Sequence, residues 1–518
     1  MMQYQALLQW VISMQNVSQN YKSSIRNVVR EEALIKIVLT DANKKTIMEH
    51  ITAGENSSCT INGTEYDYKK VSLYNCDHDK NYDPLGTRLP TEDFSFTIAD
   101  SENVLSPESS LWELFENNLI CEFWFGYNLP TGVEWVKGSR YVTEGTASWN
   151  PGIKIGLFTI KAHSILYYQD DEATVEEHQT LEAFVRKAFS NSSFALTKLF
   201  TLDILVDSSK IFVSPTSSQK IRTDELLQTF AQVSCSFLCV DRNGNVIVTQ
   251  SHFYDNSEKL ELEQFFSSPP KLYRYPELKT LSLSYKKTTR NPEEEIKDCK
   301  FYSPDIDITE DPYDVYNFIR AGEIPDDGDG KDFRVNIVLP TFYRTAKITK
   351  SLVQNTSVDP PDREFDYTRD EPNTYVFNQE LLPDLKTLSF IFRPTTRVGE
   401  RNWLYYFYIV GEPYSEVTED FDIKNPVTTS GQNCKISLSS IAPLTEEDAS
   451  KIIAHFKKYL ELRNFYSGSY RGFPEYDIFD EISIETRKGQ TISALITRQK
   501  LVYNGALSGD IEFYEVNK

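Results

Sequence analysis

Long apolar runs are missing from this 518-residue chain. No segment approaches the ~20 consecutive apolar residues that a membrane-spanning helix needs, so we predict no membrane span. The first fourteen residues are mildly apolar, but Gln3, Gln5 and Gln9 interrupt them. They have no basic region and no small-residue cleavage site, which argues against a signal peptide.

Cysteines are few, and their spacing is not that of a disulfide framework. There are seven, an odd number, and only Cys235 and Cys239 lie close together. No second cysteine pair or nearby histidine accompanies these two, which argues against a zinc site. We interpret them as small buried hydrophobic residues, and this cysteine usage indicates production in a reducing cytoplasm.

Catalytic signatures are also absent from the sequence. It contains no Gly-x-Ser-x-Gly, no His-Glu-x-x-His and no glycine-rich phosphate loop; the string 468–472 places Ser469 one position too early. No two of the six histidines have ligand spacing; they are His50, His78, His163, His178, His252 and His455. We therefore predict that the protein is not an enzyme, with no catalytic, cofactor-binding or metal-ligating residue and no cofactor.

Two segments leave alternatives open. The acidic string 326–332 could hold calcium, because hard cations bind clustered carboxylates, but it lacks the later bidentate glutamate of a calcium-binding helix-loop-helix. A solvated acidic loop is the favoured interpretation. The aromatic run 403–408 could line a sugar-binding face, although a strand with one buried side is favoured. No motif selects a carboxylate pair for glycoside hydrolysis.

Acidic and aromatic residues are abundant. The chain carries 76 acidic against 54 basic side chains, a net charge of −22, and 13% of its residues are aromatic. Such a charge repels DNA phosphates and anionic lipids, so specific nucleic-acid or membrane binding is disfavoured. It would suit a wall past which DNA slides. Aromatic and β-branched residues in short runs favour an α+β, mainly β fold.

The pattern along the chain predicts four regions. Residues 1–30 form a helical arm, and 31–167 form a β-rich domain, where Phe94, Phe96 and Ile98 share one face of a strand. A closing strand in this domain is predicted from the period-two spacing of four residues, which are Ile153, Ile155, Leu157 and Thr159. Residues 168–270 form an α+β domain, and 271–518 form a second β domain with an acidic insertion at about 290–440.

Caps and turns locate helices and hairpins within these regions. Thr174 is predicted to cap a helix, with helical spacing from Thr180 to Phe189, and a second helix is predicted from Thr223 to Val233. A hairpin follows, with Asn243-Gly244 at its turn. In the last region Thr445 is predicted to cap a helix, with Asp448 completing a capping box.

Three stretches resemble one known family. They are residues 89–96 followed by 125–142, residues 223–245, and the closing segment 445–516 with Asn504-Gly505 at a strand turn. Their order resembles the tail-hub proteins of long-tailed bacteriophages and prophages. Phe479-Asp480 and Gly505-Ala506-Leu507 depart from the family's Gly-Asp and Gly-Gly-Leu, and the region 290–440 has no counterpart in the family.

The resemblance implies a structural virion protein. Its fold would contain two small β-barrels, and three copies would form a ring joining a sixfold tail tube to a threefold tip and lining the DNA exit channel. Implied partners are the distal tail or tail-tube protein, the C-terminus of the tape-measure protein, and tail-tip spike or fibre proteins. The implied location is the virion tail tip, after assembly in the host cytoplasm. Because many relatives continue into a lysin domain and this chain ends at Lys518, no hydrolase domain is expected.

Two alternatives remain from the sequence. The first is a receptor- or carbohydrate-binding tail-tip protein, which the aromatic strands and the unmatched insertion favour. The second is a tail-borne cell-wall hydrolase, which needs a carboxylate pair that the sequence does not identify.

Overall fold

The computed structural model describes most of the chain. The described residues are 17–26, 32–84, 86, 88–175, 179–206, 211–215, 220–250, 254–266, 269–302, 318–320, 333–355, 365–366, 376–392, 403–424, 431–486 and 489–516. Most of the predicted helical arm and the acidic string 326–332 lie outside them.

Strands dominate the described residues, and helices are short. The helices are α1 (Gln19–Arg26), α2 (Leu181–Ser190), α3 (Thr223–Val233) and α4 (Glu446–Leu460). The strands of the first half are β1 (Ala33–Thr40), β2 (Thr46–Thr52), β3 (Ser58–Ile61), β4 (Thr64–Tyr66), β5 (Val71–Asn81), β6 (Thr91–Asp100), β7 (Ile120–Leu129), β8 (Gly132–Asn150), β9 (Gly156–His163), β10 (Glu172–Thr174), β11 (Leu202–Ile204), β12 (Lys220–Arg222), β13 (Phe237–Val240), β14 (Val246–Thr249), β15 (Tyr254–Leu260) and β16 (Lys271–Arg274).

The second half contributes as many strands. They are β17 (Leu278–Thr289), β18 (Glu294–Ile296), β19 (Lys300–Tyr302), β20 (Phe318–Arg320), β21 (Phe333–Val338), β22 (Tyr343–Asn355), β23 (Phe365–Asp366), β24 (Val376–Leu381), β25 (Thr387–Phe392), β26 (Trp403–Pro413), β27 (Ser415–Lys424), β28 (Gln432–Ser437), β29 (Asn464–Tyr470), β30 (Asp480–Glu485), β31 (Thr491–Tyr503) and β32 (Leu507–Glu515).

One 15-stranded sheet unites the two ends of the sequence. Its main path runs β16-β29-β32-β31-β5-β6-β9-β8-β7-β1-β2-β3-β4, with β30 and β15 joined at the side of β31. The joint is the antiparallel pairing of β31 with β5, where Arg498–Tyr503 lie beside Cys76–Asn81. The last strands of the chain therefore extend the sheet that its first strands begin.

Two four-strand units with the same connectivity lie on either side of this joint. The first unit consists of β6 to β9 and has the spatial order β6-β9-β8-β7; the second consists of β29 to β32 and has the order β29-β32-β31-β30. Neighbouring strands are antiparallel in both units. In each unit the first strand therefore pairs with the fourth and the second with the third.

The core of the first unit is aromatic. Phe94, Phe96 and Ile98 are all buried on one face of β6, as their alternation predicts. The ring of Phe94 stacks on that of Phe123 with centroids 3.8 Å apart. Gly138 lies where the pairing of β7 and β8 shifts, and a Cβ added to it would lie 2.0 Å from Cε2 of Phe123. The glycine thus makes room for this stacked pair.

Two further cores lie outside the large sheet. One is built by α2, α3, α4 and strands β11, β13, β14, β17 and β28, so residues from both sides of position 270 share it. The other is formed within residues 296–409 by β21, β22, β25 and β26. The described part of the predicted insertion therefore has a small core of its own, while β27 and β28 pair with β17.

Most of the predicted caps and turns are confirmed. Thr445 caps α4 in a capping box with Asp448, α3 spans Thr223–Val233, and the hairpin of β13 and β14 turns through Asn243-Gly244. Asn504-Gly505 lies in the turn between β31 and β32, with φ of +94° at the glycine.

Two local predictions are wrong. Thr174 belongs to β10, and the cap of α2 is Thr180, whose hydroxyl accepts from Ala183 N. The closing strand β9 begins at Gly156 and buries Phe158, Ile160 and Ala162, leaving Ile153 and Ile155 exposed in the preceding turn. The period-two spacing begins in the loop before the strand, and the residues that it selects within β9 lie on the face opposite to the buried one.

The mainly β, α+β class is confirmed, whereas the two-barrel ring stays a prediction. Within the described ranges the large sheet follows an open path from β16 to β4, and no strand pairing closes it. The four predicted domains also stay predictions. The joint between β5 and β31 connects the second of them with the fourth, and the second core contains residues of the third and the fourth.

We predict that Gly138→Ala destabilises the protein by about 1–3 kcal/mol, the usual cost of overpacking a tight core. The added methyl group must displace Phe123, which cannot move without breaking its stack on Phe94. Urea unfolding followed by tryptophan fluorescence measures the change. Ser148→Ala on the exposed side of the same strand is the control, with an expected change within about 0.5 kcal/mol. Equal effects of the two substitutions would contradict this account.

Candidate functional site

A group of buried charged side chains lies at the joint of the sheet, and we call it the charged junction. It consists of Lys80 on β5, Glu92 at the start of β6, Arg242 in the β13–β14 turn, and Asp477 and Asp480 before and at the start of β30. Three distant parts of the sequence therefore meet there. Lys80, Glu92 and Asp480 are each at most 2% exposed.

Asp477 is the centre of the charged junction. Lys80 Nζ lies 3.1 Å from one of its carboxylate oxygens, and Arg242 Nε lies 3.0 Å from the other. Burial by itself raises the pKa of Asp477, but the two cations overcome this and hold the pKa below its usual range. Asp477 is therefore an ionised carboxylate clamped between two cations.

Arg242 also donates to three backbone carbonyl groups in two other segments. Its guanidinium donates to the carbonyl oxygens of Lys137, Glu475 and Tyr476, at 2.7, 3.2 and 3.0 Å. A planar guanidinium with five donors can make such contacts simultaneously, whereas an ammonium group cannot match their directions. Arg242 thus ties the β13–β14 turn to both β8 and the segment before β30.

Hydrogen bonds extend the charged junction into the first unit. Glu92 accepts from the hydroxyls of Tyr82 and Tyr141, the latter at 2.7 Å, and Tyr141 Oη lies 2.9 Å from His78 Nε2. Burial lowers the pKa of His78 and raises that of Glu92 to about 7. Because an unprotonated imidazole suits this setting, His78 is a neutral core histidine.

Asp480 is a buried carboxyl group that its surroundings hold towards the protonated form. Its Oδ2 accepts from Asp477 N at 2.8 Å. Burial, followed by the nearby negative charge of Asp477, raises its pKa to about 8. A protonated Asp480 can keep the backbone bond, because one oxygen still accepts while the other bears the proton.

The charged junction is closed to ligands. The space beside it, lined by His78, Lys80, Arg242 and Asp477 among others, leaves no room for a water-sized molecule. A perturbed carboxyl group in a cleft would be a candidate catalyst, but here the perturbed groups face one another inside the fold. The arrangement can hold three segments together, and it offers no path to a substrate.

An open cleft lies elsewhere, between the β1–β2 turn, the segment before β7, and residues 167–170 and 193–196. It has a volume of about 910 Å³, and Glu113, Tyr167, Asp170 and Phe194 are among its lining residues. Tyr167 is 62% exposed and stacks on His163 with centroids 4.2 Å apart. An exposed ring beside carboxylates is a surface that can bind a polar ligand with an apolar face.

The sequence motifs considered for chemistry are dispersed. His50 and His78 are buried, His163 bridges Asp93 and Glu144, and His455 lies among aromatic rings. His178 and His252 lie outside the described residues. Ser469 Oγ donates to Asp510. Cys239 is buried as predicted, whereas Cys235 is partly exposed.

The aromatic run 403–408 forms part of a strand, as predicted. It belongs to β26, with Phe407 buried and Tyr408 partly exposed. The described residues contain no group of three or more His, Cys, Asp or Glu side chains able to hold a metal ion. In the same residues, no helix has the length and apolar character to cross a membrane.

The charged junction was missed by sequence reasoning. Lys80 and Asp477 alone are 397 positions apart, so no local motif contains its members. Phe479-Asp480 was noted only as a departure from a family pattern. Its one signal is the segment 473–480, where three acidic residues sit among aromatic residues that a strand pattern would bury.

Comparisons with known proteins give structural likeness only. No protein-family model and no curated protein matches the sequence. A 43 kDa tail protein of prophage MuSo2 from Shewanella oneidensis is similar in structure, with a TM-score of 0.46 and 8% identity over 92% of this chain and 98% of that one. A tail protein from Neisseria meningitidis MC58 has a TM-score of 0.46 and 6% identity over 93% and 97%.

A third similar structure is prophage tail protein gp18 from Listeria monocytogenes EGD-e. Its TM-score is 0.39, with 10% identity over 93% of this chain and 95% of that one. The chain is thus similar in structure to prophage tail proteins. At these identities and TM-scores the likeness does not carry a function to this chain.

We predict that Arg242→Met costs about 3 kcal/mol or more of unfolding free energy. The substitution removes one partner of a largely buried ion pair and the hydrogen-bond donor of three carbonyl groups. Urea unfolding measures it. Arg222→Met is the matched control: Arg222 pairs with Asp224 but is half exposed, so the expected loss is below about 1 kcal/mol. Similar losses in both variants would show that the charged junction does not stabilise the joint.

We also predict a pH signature of the charged junction. Because the folded-state pKa values of Glu92 and Asp480 are raised to about 7 and about 8, the folded chain binds these protons more tightly than the unfolded chain. Their contribution to stability is fully present below pH ~4 and is lost as pH rises through ~8. Asp480→Asn keeps the acceptor oxygen and removes the titration.

The measurement is the urea midpoint between pH 5 and 9. In Asp480→Asn the fall in midpoint towards high pH is shallower, and the variant is at least as stable as the parent at pH 9. Glu108→Gln, which changes an exposed carboxyl group, leaves the parent's slope unchanged. A slope that is the same in all three proteins would overturn the assignment. Asp477 has the opposite sign, because its lowered pKa makes stability fall only in strong acid.

Proposed function

We propose that the chain is a structural virion protein, a trimeric tail or baseplate hub that joins a sixfold tail tube to a threefold tail tip. The carrying observation is the repeated four-strand unit, since one chain presents two like units side by side in a continuous sheet. Three copies in a ring would present six such units, which is what a threefold component needs to meet a sixfold one. The sequence resemblance to tail hubs supports the same proposal.

Charge and rigidity fit this role. The net charge of −22 suits a channel wall past which DNA moves without binding. The charged junction locks the two units to each other through Lys80, Arg242 and Asp477, so a load on one unit is passed to the next. The partners proposed are the distal tail or tail-tube protein, the tape-measure C-terminus and tip spike or fibre proteins, at the tail tip after assembly in the host cytoplasm.

A second candidate is a receptor- or carbohydrate-binding tail-tip protein, favoured by the cleft of about 910 Å³ with its exposed Tyr167. Saturable binding of host-wall glycan, lost in Tyr167→Ala and kept in Tyr74→Ala, would favour it. The cell-wall hydrolase has weaker support, because the carboxylates of the cleft show no selected pair. Turnover of wall polymer that is abolished by substitution of Glu113 or Asp170 would favour that alternative.

We predict a mass near three times 59.7 kDa for the purified chain. Light scattering at several concentrations measures it, and negative-stain images of the same sample are expected to show rings. Addition of the tail-tube or distal tail protein is expected to give a complex. A strict monomer that also fails to bind either protein would contradict the hub proposal.

A further inference from the structure

The intrachain joint has a specific geometry within the second unit. Strand β31 pairs with β30 up to Leu495, the pairing with β32 shifts between Ile496 and Arg498, and the remaining residues, Arg498–Tyr503, turn their outer edge to β5. The second half of β31 is therefore free of β30 while it stays paired with β32. That half then pairs with β5, the strand that precedes the first unit.

The first unit repeats this geometry without an occupant. Strand β8 pairs with β7 up to Val142, and its pairing with β9 shifts between Thr143 and Ala147. Beyond the shift, Ala147–Asn150 pair with β9 on one side, and no described strand pairs with their other edge. Ala147–Asn150 are therefore the counterpart of Arg498–Tyr503.

The strand that would fit this edge is also present. β5 pairs with the first strand of the first unit so that its last residue, Asn81, lies beside Thr91. β16 pairs with the first strand of the second unit in the same way, with its last residue, Arg274, beside Asn464. β16 is thus the counterpart of β5, and it is the end of the sheet, with no described strand on its outer edge.

Both unpaired edges expose apolar side chains. All four residues of β16 are exposed, including Leu272 at 52% and Tyr273 at 49%. The turn that follows Ala147–Asn150 exposes Ile153 fully and Ile155 by about half. A bare edge strand with apolar side chains invites another strand, and natural proteins normally cover or charge such an edge.

The two edges are far apart in one molecule. Between β16 and β8 the sheet contains β29, β32, β31, β5, β6 and β9, so the occupant of one edge is the other edge of a second copy. Contact between two different surfaces of identical chains propagates, and it forms a closed ring when the rotation closes.

We propose that β16 of one copy pairs antiparallel with Ala147–Asn150 of β8 in a second copy, repeating between chains the joint that β5 and β31 make within the chain. Arg498 and Asn81 pair at the start of the intrachain joint. By the same register Ala147 faces Arg274, Ser148 faces Tyr273 and Trp149 faces Leu272 of the other copy. This inference rests on the proposed ring-forming function and assigns its interface.

Cysteine cross-linking tests the register. The double variant Ser148→Cys/Tyr273→Cys places thiols on facing strand residues, whose Cβ atoms lie ~4.5–5.5 Å apart in an antiparallel pair. Oxidation is expected to yield covalent dimers and trimers on a non-reducing gel, reversed by reductant. Glu65→Cys/Ser148→Cys is the matched control, because Glu65 is exposed on β4 at the opposite end of the sheet. It and the parent chain are expected to stay uncross-linked.

A second variant tests the contribution of the edge. Leu272→Asp lies on an exposed strand, so the fold is kept, while association places an unpaired carboxylate in the interface. The concentration for half-assembly is expected to rise on the order of 100-fold. Tyr74→Asp, an exposed site on β5, is expected to leave it unchanged.

The outcomes separate this inference from the hub proposal. Trimers that form in the parent, persist in Leu272→Asp and resist cross-linking through Ser148→Cys/Tyr273→Cys would overturn the inferred interface and leave the hub proposal standing. A chain that is monomeric at every concentration, gives no cross-link and binds neither the tail-tube nor the distal tail protein would overturn both. Cross-linking equal to that of the Glu65→Cys control would also count against the interface.

Discussion

Asp477 is held between Lys80 and Arg242, and the meeting of the two sheet units depends on that clamp. Each of the three residues comes from a different part of the sequence, and each is desolvated by the packing of the other two. An ionised carboxylate in such a place is stable only while both cations stay at about 3 Å. The geometry of the joint is therefore strict, because small displacements leave a buried charge without its partner.

The constraint explains why neutral and ionised carboxyl groups sit side by side. Asp477 takes the two cations, so the next carboxyl group, Asp480, lies in an apolar site against a negative neighbour and is held towards its protonated form. Burial raises the pKa of Glu92 less far, to about 7, because Lys80 lies 4.0 Å away and Tyr141 donates a hydrogen bond to it. The charged junction thus combines a fixed ion pair with proton-dependent groups, in a place no substrate reaches.

The repeated unit gives this joint a wider meaning. The same shift in pairing frees the end of a long strand in both units, but only one of the freed edges pairs with another strand of the described residues. The hub proposal and the inferred interface both rest on this asymmetry between two equivalent edges. The small core within residues 296–409 lies outside the repeat, and its own sheets do not extend the large one.

The sequence by itself determined the local elements. Alternation placed Phe94, Phe96 and Ile98 on the buried face of β6, Thr445 and Asp448 marked the start of α4, and Asn-Gly pairs marked two hairpin turns, because these signals act within a few residues. It failed at Ile153, where the alternation begins before β9 does, and at Thr174, a strand residue of a type that often caps helices. Only the tertiary structure decided that β31 joins β5 and that Lys80, Arg242 and Asp477 meet. It alone also shows that no described strand pairs with the outer edges of Ala147–Asn150 and β16. These pairings join residues far apart in the sequence, and their partners are chosen by burial and charge in the assembled fold.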